Sequence, residues 1–312
     1  MSDVLKTLTG SVGKFVLAWL LPSVITLGLA ALFVVLPHAR SAPFVRPVLD
    51  AGGGGAATAA LVFGLLAVTS AVLFAYASLP IYRMLEGYAL PGPLRRRLLR
   101  RQLRRWTRLQ HAQRRYELTG RLVGPAMSDE LARYPGRREY VQATRLGNAL
   151  RAMERFGVEA YGLDSQSLWY ELLGVVPDGT RKDVEEARAP VDFFVSAISH
   201  ALALASVCAG VGVATGDPVL LVIAGAAAAS LPVSYALAVN NVLDWGLAVK
   251  AVVNLGRRDL ADKLGLDVPR EVHWERQMWA AHFHAIERRD PTADEEYDKY
   301  RVVPGASAGT GT

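Results

Sequence analysis

Residues 193–239 of the chain read FFVSAISHALALASVCAGVGVA, then TGD, then PVLLVIAGAAAASLPVSYALAV. The two apolar blocks, residues 193–214 and 218–239, contain no Asp, Glu, Lys or Arg. A helix of about 20 apolar residues crosses the hydrocarbon core of a bilayer, whereas a helix that lies on a soluble core carries a polar face. This stretch therefore predicts two membrane-spanning helices joined by the short turn 215–217.

The N-terminal part of the chain holds two more uncharged apolar blocks, residues 15–37 and 56–79. The first is longer than the roughly 7–15 apolar residues of a secretory signal peptide, and no small-residue cleavage site follows Pro37. We therefore interpret it as a retained span. The chain is 51% hydrophobic, and the predicted fold class is all-α: a four-span transmembrane helix bundle with a helical cytosolic domain.

The orientation of the spans follows from the basic residues, which accumulate on the cytoplasmic side of membrane proteins. Two basic residues lie in residues 1–14, 21 in residues 81–192 and ten after residue 239. With four crossings these three segments share one side of the membrane, which therefore has 33 basic residues. Only Arg40 and Arg46 lie on the other side. Both termini are therefore predicted to be cytoplasmic. The 29 arginines against 6 lysines are typical of a GC-rich bacterial genome, so the membrane is predicted to be a bacterial inner membrane.

The predicted organisation alternates membrane spans with segments on either side. In chain order it comprises a cytoplasmic tail (1–14), the first span (15–37), an extracytoplasmic loop (38–55), the second span (56–79), a basic helical cytosolic segment (80–192), the third span (193–214), an extracytoplasmic turn (215–217), the fourth span (218–239), a cytosolic helical segment (240–302) and a disordered tail (303–312).

Residues 94–121 contain eleven arginines and one acidic residue, Glu117. Leu99, Leu103, Trp106 and Leu109 recur at helical spacing, which predicts an amphipathic helix with a narrow apolar seam. Such a helix either binds the anionic leaflet, with its seam in the membrane interface, or packs on the cytosolic domain as a solvated helix. Nucleic-acid binding is disfavoured because stacking aromatics and a known binding module are missing. The candidate anionic-lipid contacts are Arg95, Arg96, Arg97, Arg100, Arg101, Arg104, Arg105 and Arg108.

Several residues stand out inside the predicted spans. His200 is the one ionisable side chain there, and is either a functional intramembrane polar site or a hydrogen-bonded packing residue. Pro22 and Pro232 are each expected to kink a span because proline removes a helical hydrogen bond. Small residues allow helix backbones to approach closely in the second hairpin, including Gly210, Gly212 and Gly225.

The cytosolic segments predict further helices. A stripe of apolar residues predicts a helix over residues 139–156, and Asp164 is expected to cap a helix over 165–173. Tyr161-Gly162 predicts a helix end with a left-handed glycine. Asn148 is expected either to cap a helix or to form buried hydrogen bonds. A charged helix is predicted over 180–189, and the fourth span is predicted to continue past residue 239. Near residues 270–289 the stripe expected to be buried is Val272, Trp279, Phe283 and Ile286.

The sequence carries no catalytic, cofactor or metal signature. The single cysteine, Cys208, excludes an intrachain disulfide and a cysteine-clustered metal site. His282 and His284 point about 200° apart on a helix and cannot share one metal ion, so His273, Glu275, His282 and His284 are interpreted as surface or interface residues. No cofactor is therefore predicted.

Three stretches resemble a family of uncharacterised bacterial multi-pass membrane proteins. They are IYRMLEGY within residues 79–88, TRLGNALR at 144–151 followed by YGLD at 161–164 and LW at 168–169, and the region 245–269. The family has no established reaction, so the resemblance implies architecture only.

Three functional hypotheses remain open. The leading one is a non-enzymatic scaffold or regulatory component whose cytosolic domain binds anionic lipid or a protein partner, including another copy of the chain. The second is an oligomeric small-solute channel or carrier, based on Pro22, Pro232 and His200. The third is a lipid-modifying membrane enzyme, which requires paired carboxylates near the membrane surface.

Overall fold

The computed structural model describes residues 13–38 and 52–302. The described chain is 82% helical, and its β-type pairing is limited to one isolated bridge between Leu266 and Arg301. The helices are α1 (residues 16–38), α2 (Gly52–Tyr76), α3 (Ser78–Glu86), α4 (Gly92–Leu118), α5 (Pro125–Ala132), α6 (Arg145–Glu154), α7 (Phe156–Tyr161), α8 (Trp169–Val175), α9 (Asp178–Thr215), α10 (Pro218–Lys263), α11 (Val272–His282) and α12 (Asp294–Asp298).

Four of these helices, α1, α2, α9 and α10, are long and apolar enough to cross a membrane, which confirms the predicted all-α fold class. In their most apolar segments only 11–28% of the residues are buried inside the protein. A helix whose apolar residues remain uncovered needs an apolar solvent, and that solvent is lipid. The predictions for residues 1–12, 39–51 and 303–312 lie outside the described residues.

The chain divides into two compact units, each built from two stretches of sequence. Unit 1 comprises Met1–Ala89 and Arg188–Asn241, and unit 2 comprises Leu90–Ala187 and Val242–Thr312.

Unit 1 is a bundle of the four apolar helices. Leu204 and Cys208 of α9 pack with Leu220 and Ala224 of α10 in a buried cluster. The turn between these helices contains Gly216 in the left-handed conformation. A Cβ atom at Gly212 would lie 3.0 Å from Cβ of Leu220, so this glycine permits the close approach that was predicted. Gly210 and Gly225 face open space instead, and close packing does not require them.

Helix α1 changes its hydrogen-bonding pattern before each of its prolines. A π-helical turn, Val16–Leu20, precedes Pro22, and a second, Ala31–Val35, precedes Pro37. A proline donates no hydrogen bond, and its ring crowds the carbonyl group four residues earlier. The wider π turn accommodates that carbonyl group, so the helix continues through Pro22 without ending.

Unit 2 packs its shorter helices on the C-terminal part of α10. Gly162 ends α7 with φ +79°, as predicted, and a Cβ atom there would lie 2.6 Å from the Arg276 carbonyl oxygen of α11. The Arg257 Nε atom lies 2.9 Å from Oε1 of Glu275, a carboxylate only 4% exposed. The Arg257 guanidinium also lies 4.1 Å from the centre of the Tyr161 ring. These contacts connect α7, α10 and α11.

Three predictions about unit 2 need correction. The helix expected over 139–156 begins only at Arg145, because residues 138–140 form a 3₁₀ turn. Asp164 accepts hydrogen bonds from the backbone N–H groups of Gln166 and Ser167, but the helix after this turn begins at Trp169. The stripe expected near residues 270–289 was wrong at its two ends, where Val272 and Ile286 are exposed. Trp279 is buried as predicted, and Phe283 is half-buried. The buried residues of α11 are Glu275, Met278, Trp279, Ala281 and His282.

Candidate anion-binding surface

The apolar seam of α4 is covered by protein. The Tyr134 hydroxyl donates a hydrogen bond to Gln102 Oε1 at 2.7 Å, and Trp106 Nε1 donates to the Pro135 carbonyl oxygen at 2.9 Å. Leu99, Leu103 and Leu109 are half-buried on the same side. The seam and Trp106 therefore stabilise unit 2 and do not form a free edge for insertion into lipid.

All eight predicted arginines of α4 are exposed. Six of them line one open groove of about 760 Å³ together with Leu98, whereas Arg95 and Arg96 do not. Residues three, four and seven apart lie on the same side of a helix. We define the arginine face as the side of α4 formed by Arg97, Arg100, Arg101, Arg104 and Arg108.

Arg105 differs from the arginine face because it has an acidic partner. Its Nη2 atom lies 2.8 Å from Glu130 Oε1, and Arg133 and Arg145 approach the same carboxylate at 3.3 and 4.0 Å. Among the described residues, no carboxylate lies within ion-pair distance of the arginine face. Arg105 thus has a structural role that the sequence did not reveal, and its predicted lipid contact competes with Glu130.

The arginine face destabilises its own helix. Like charges at i and i+4 cost about 0.2–0.5 kcal/mol per pair, and the face contains such pairs at 97/101, 100/104 and 104/108. In water alone the folded helix is therefore less stable by on the order of 1 kcal/mol. An anionic partner would reverse the sign of this contribution. Residues that lower the stability of the free protein in this way are expected at functional sites.

Arg138 adjoins the arginine face, although the sequence did not predict this position. It belongs to the 3₁₀ turn Arg138–Tyr140 and lines a smaller groove together with Arg100, Arg104 and Arg108. The helical period of α4 carries no information about a residue 30 positions further along the chain. Only the tertiary fold brings these groups together.

His200 is enclosed within unit 1. It is 2% exposed, and the centre of its ring lies 4.1 Å from that of Phe74 in α2. Nδ1 lies 2.9 Å from the Ser196 carbonyl oxygen, and Nε2 lies 2.9 Å from the Ser23 hydroxyl of α1. A carbonyl oxygen only accepts, so Nδ1 donates to Ser196. The Ser23 hydroxyl, which donates to the Trp19 carbonyl oxygen at 2.9 Å, is the polar group beside Nε2. These contacts are those of a hydrogen-bonded packing histidine, one of its two predicted roles.

The first motif of the family resemblance contributes a contact within unit 1. The Tyr82 hydroxyl donates to Asp192 Oδ1 at 2.6 Å, and Arg188 Nε donates to Asp192 Oδ2 at 3.1 Å. Burial, reinforced by the neighbouring Asp192 charge, raises the pKa of Tyr82 well above its usual value. The phenol therefore remains protonated and acts as a fixed link between α3 and α9.

The second motif also has structural roles. Asn148 is fully buried, and its Oδ1 atom accepts from the Gln142 backbone N–H group at 2.7 Å. Its Nδ2 atom donates to the carbonyl oxygens of Thr144 and Gln142 at 2.8 and 3.1 Å. The predicted buried hydrogen bonds are confirmed.

The histidine group of α11 does not form a metal site. Among the described residues no three His, Cys, Asp or Glu side chains are placed to hold a metal ion. Glu275 pairs with Arg257, and His273 contacts Gln277 at 3.1 Å. His282 is buried, whereas a surface or interface position was expected. Both of its ring nitrogens lack a hydrogen-bond partner within the described chain.

Taken together, the four apolar helices and the basic second unit define an all-α, multi-pass membrane protein. Comparisons with protein-family models, with curated proteins and with solved structures find no match to this chain. The resemblance of its three motifs to a membrane-protein family therefore remains a prediction.

Proposed function

We propose that this chain is a non-enzymatic scaffold or regulatory protein of a bacterial inner membrane, and that its arginine face binds the anionic leaflet. In this proposal both termini and unit 2 are cytoplasmic, as the 33-to-2 distribution of basic residues favours. The observation that carries the proposal is the arginine face itself: five exposed guanidinium groups without an acidic partner in the described chain.

The composition of this surface favours lipid over a protein partner. Protein interfaces have a desolvated core that is depleted of charge and enriched in aromatic residues. On α4 the seam residues Leu99, Leu103 and Leu109 are half-buried, and the arginine face is almost purely cationic, with Leu98 as the apolar residue that lines its groove. Anionic lipid attracts such a surface by about 1 kcal/mol per basic residue near the membrane, without requiring an apolar core.

The orientation can be tested with cysteine labelling in intact cells. Cys208 is the single cysteine and is buried, so a C208A background allows one new cysteine at a time. A membrane-impermeant maleimide should label R46C, in the predicted outer loop, and should not label S128C, in unit 2. Labelling of S128C from outside the cell would contradict the cytoplasmic placement of unit 2.

Lipid contact can be tested with a spin label on the full-length chain in nanodiscs. In a C208A/H111C variant the label lies seven residues after Arg104, on the same side of α4. Phosphatidylglycerol should shield this label from a water-soluble relaxation agent, whereas pure phosphatidylcholine should not. Raising the salt to about 1 M, where the Debye length is about 3 Å, should restore access.

A matched pair of double variants provides the control. R104Q/R108Q should weaken the contact by on the order of 2 kcal/mol, whereas R258Q/R270Q removes the same charge from other exposed positions of unit 2 and should have little effect. If the spin label is shielded equally in both lipids and at both salt concentrations, the proposal is contradicted. A label that stays accessible on both membranes and is shielded only by a copurifying protein would favour the protein-partner alternative.

A further inference from the structure

The smaller groove beside α4 is lined by residues from two separate elements. Its volume is about 340 Å³, at the lower end of the range of small-ligand sites, which is roughly 300–1,000 Å³. The residues that line it are Arg100, Leu103, Arg104, Thr107, Arg108 and Arg138. It therefore combines four guanidinium groups, one hydroxyl group and one apolar side chain, and no carboxylate.

The turn that carries Arg138 is held in place by its neighbours. The Tyr140 hydroxyl accepts a hydrogen bond from Arg155 Nη2 at 2.8 Å, and the Arg155 guanidinium lies 4.2 Å from the centre of the Tyr140 ring. A site whose donors stand on fixed elements loses less entropy when a ligand binds. The backbone that carries Arg138 is thus held in place before any ligand arrives.

The two adjacent arginines of this turn have different environments. Arg137 Nη1 lies 3.8 Å from Glu139 Oε1 and does not line the groove. Arg138 does line it, and no carboxylate in the described chain lies within ion-pair distance of Arg138. The groove therefore carries four positive charges, and no carboxylate of the described chain forms an ion pair with them.

We propose that this groove binds one phosphate group that carries two negative charges. This proposal rests on the proposed function and deepens it, because it assigns a specific ligand group to one side of the arginine face. Guanidinium groups donate paired hydrogen bonds to phosphate oxygens, and a tetrahedral dianion offers enough oxygens for donors arriving from two directions. The Thr107 hydroxyl adds a neutral donor, and Leu103 suits the ester side of a phosphomonoester.

The phosphate could belong to a lipid headgroup or to a soluble molecule. Both sources present the same terminal dianion, and the experiment separates them. Phosphatidic acid and phosphatidylglycerol serve as lipid probes, because only the first carries a phosphomonoester. Inorganic phosphate and pyrophosphate serve as soluble probes.

The test uses the full-length chain. Lipid retention from nanodiscs of matched total charge is measured by native mass spectrometry, and phosphate binding to the detergent-purified chain is measured by calorimetry. We expect phosphatidic acid to be retained over phosphatidylglycerol, or free phosphate or pyrophosphate to bind. R138Q should weaken that binding by about tenfold or more, since a charge-assisted hydrogen bond is lost. R137Q, which removes the same charge one residue away, should leave binding within about twofold.

A lysine variant separates a built groove from diffuse attraction. R104K/R138K keeps the charge but removes the paired donors, so the preference for the phosphomonoester should fall with it. The general retention of anionic lipid should remain, because that retention depends on charge alone.

Each outcome counts for or against the groove. A lipid preference that needs Arg138 identifies a headgroup, and Arg138-dependent binding of free phosphate or pyrophosphate without lipid preference identifies a soluble source; both support the site. The site is overturned if the chain shows no preference for phosphatidic acid, does not bind free phosphate or pyrophosphate, and behaves the same as R138Q and as R137Q. In that case salt-sensitive retention of anionic lipid would still support the proposed function. Loss of that retention would instead remove the proposed function itself.

Discussion

Units 1 and 2 expose different kinds of side chain. In unit 1 the polar residues Ser23, Ser196 and His200 are inside, while Leu61 and Leu65 of α2 are 71% and 64% exposed. In unit 2 the large apolar residues, such as Leu146 and Leu172, are inside, and the arginines of α4 face outward.

This difference between the exposed surfaces is the one expected for two different solvents. In water an apolar side chain gains by leaving the solvent, whereas in lipid it gains nothing, and polar groups must find partners inside the protein. The same residue type, an exposed leucine, is therefore expected to have a different meaning in each unit. The predictions below test that difference, beginning with the largest effect.

A charge placed on an exposed leucine should be costly in unit 1 and nearly neutral in unit 2. L65R lies near the middle of α2 and should disfavour membrane insertion of this span by about 3 kcal/mol. L118R, at an 87% exposed position of α4, should change stability by less than about 0.5 kcal/mol. Insertion of the span is measured by a glycosylation-site assay, and stability by thermal unfolding. L65F controls for shape, and equal tolerance of both arginines would refute lipid as the solvent of unit 1.

The second comparison concerns charges within unit 2. E275Q leaves Arg257, which is 16% exposed, without its charged partner, and should destabilise unit 2 by about 2 kcal/mol. E186Q breaks an exposed pair with Lys182, whose side chains are 58% and 73% exposed, and should cost less than about 0.5 kcal/mol.

Thermal unfolding of the purified chain, followed by tryptophan fluorescence, measures both variants. Trp279 lies one helical turn after Glu275 and is buried, so its emission should report the loss. If E186Q proved as damaging as E275Q, burial would not be what distinguishes the two pairs.

The parts of this fold that the sequence predicted are those governed by local pattern. An uncharged run of about 20 residues is enough to identify a span, and a glycine after Tyr161 is enough to end a helix in the left-handed conformation. The exposed arginines of α4 follow from helical spacing in the same way. Each of these features depends on residues within a few turns of one another.

The parts that were wrong or missed depend on distant partners. Ser23 contacts His200 across 177 positions of sequence, and no periodicity links them. The stripe near residues 270–289 was wrong at its start because hydrophobicity favoured Val272, whereas the fold buries Glu275 against Arg257. Two arginines differ from expectation for the same reason. Arg105 pairs with Glu130, and Arg138 lies beside α4 because of the 3₁₀ turn. Neither contact follows from the helical period of α4.

Acid should weaken unit 2 through His282. Burial lowers the pKa of this ring, while the charges of Glu287 and Glu171 oppose the shift. Because the folded pKa lies below the unfolded value of about 6.5, the unfolded chain binds more protons as the pH falls. Stability should therefore decline from about pH 6.5 downward, by at most about 1.4 kcal/mol per pH unit, until the pH passes the folded pKa.

Hydrogen exchange in α11 and α12, corrected for the intrinsic effect of pH, measures this decline. α12 is included because the ring of its Tyr297 lies 5.5 Å from that of His282. H282F should flatten the pH dependence, whereas H273F, at an exposed position of the same helix, should retain it. A slope unchanged in H282F would assign the acid sensitivity to another group.

The smallest expected effect lies in unit 1, where the buried polar contacts are made between spans. A double-mutant cycle with S23A and H200A should give a coupling energy of about 0.6 kcal/mol, because hydrogen bonds between membrane helices are individually weak. Reversible unfolding in mixed micelles measures the cycle, and F74L, which alters the ring contact alone, should leave the coupling in place.

A coupling near zero would remove the Ser23–His200 hydrogen bond as a link between α1 and α9. A value well above about 1.7 kcal/mol would exceed what a neutral pair provides in a membrane. His200 would then be charged inside unit 1, and the contrast between a neutral interior there and a charged pair at Glu275 in unit 2 would fail.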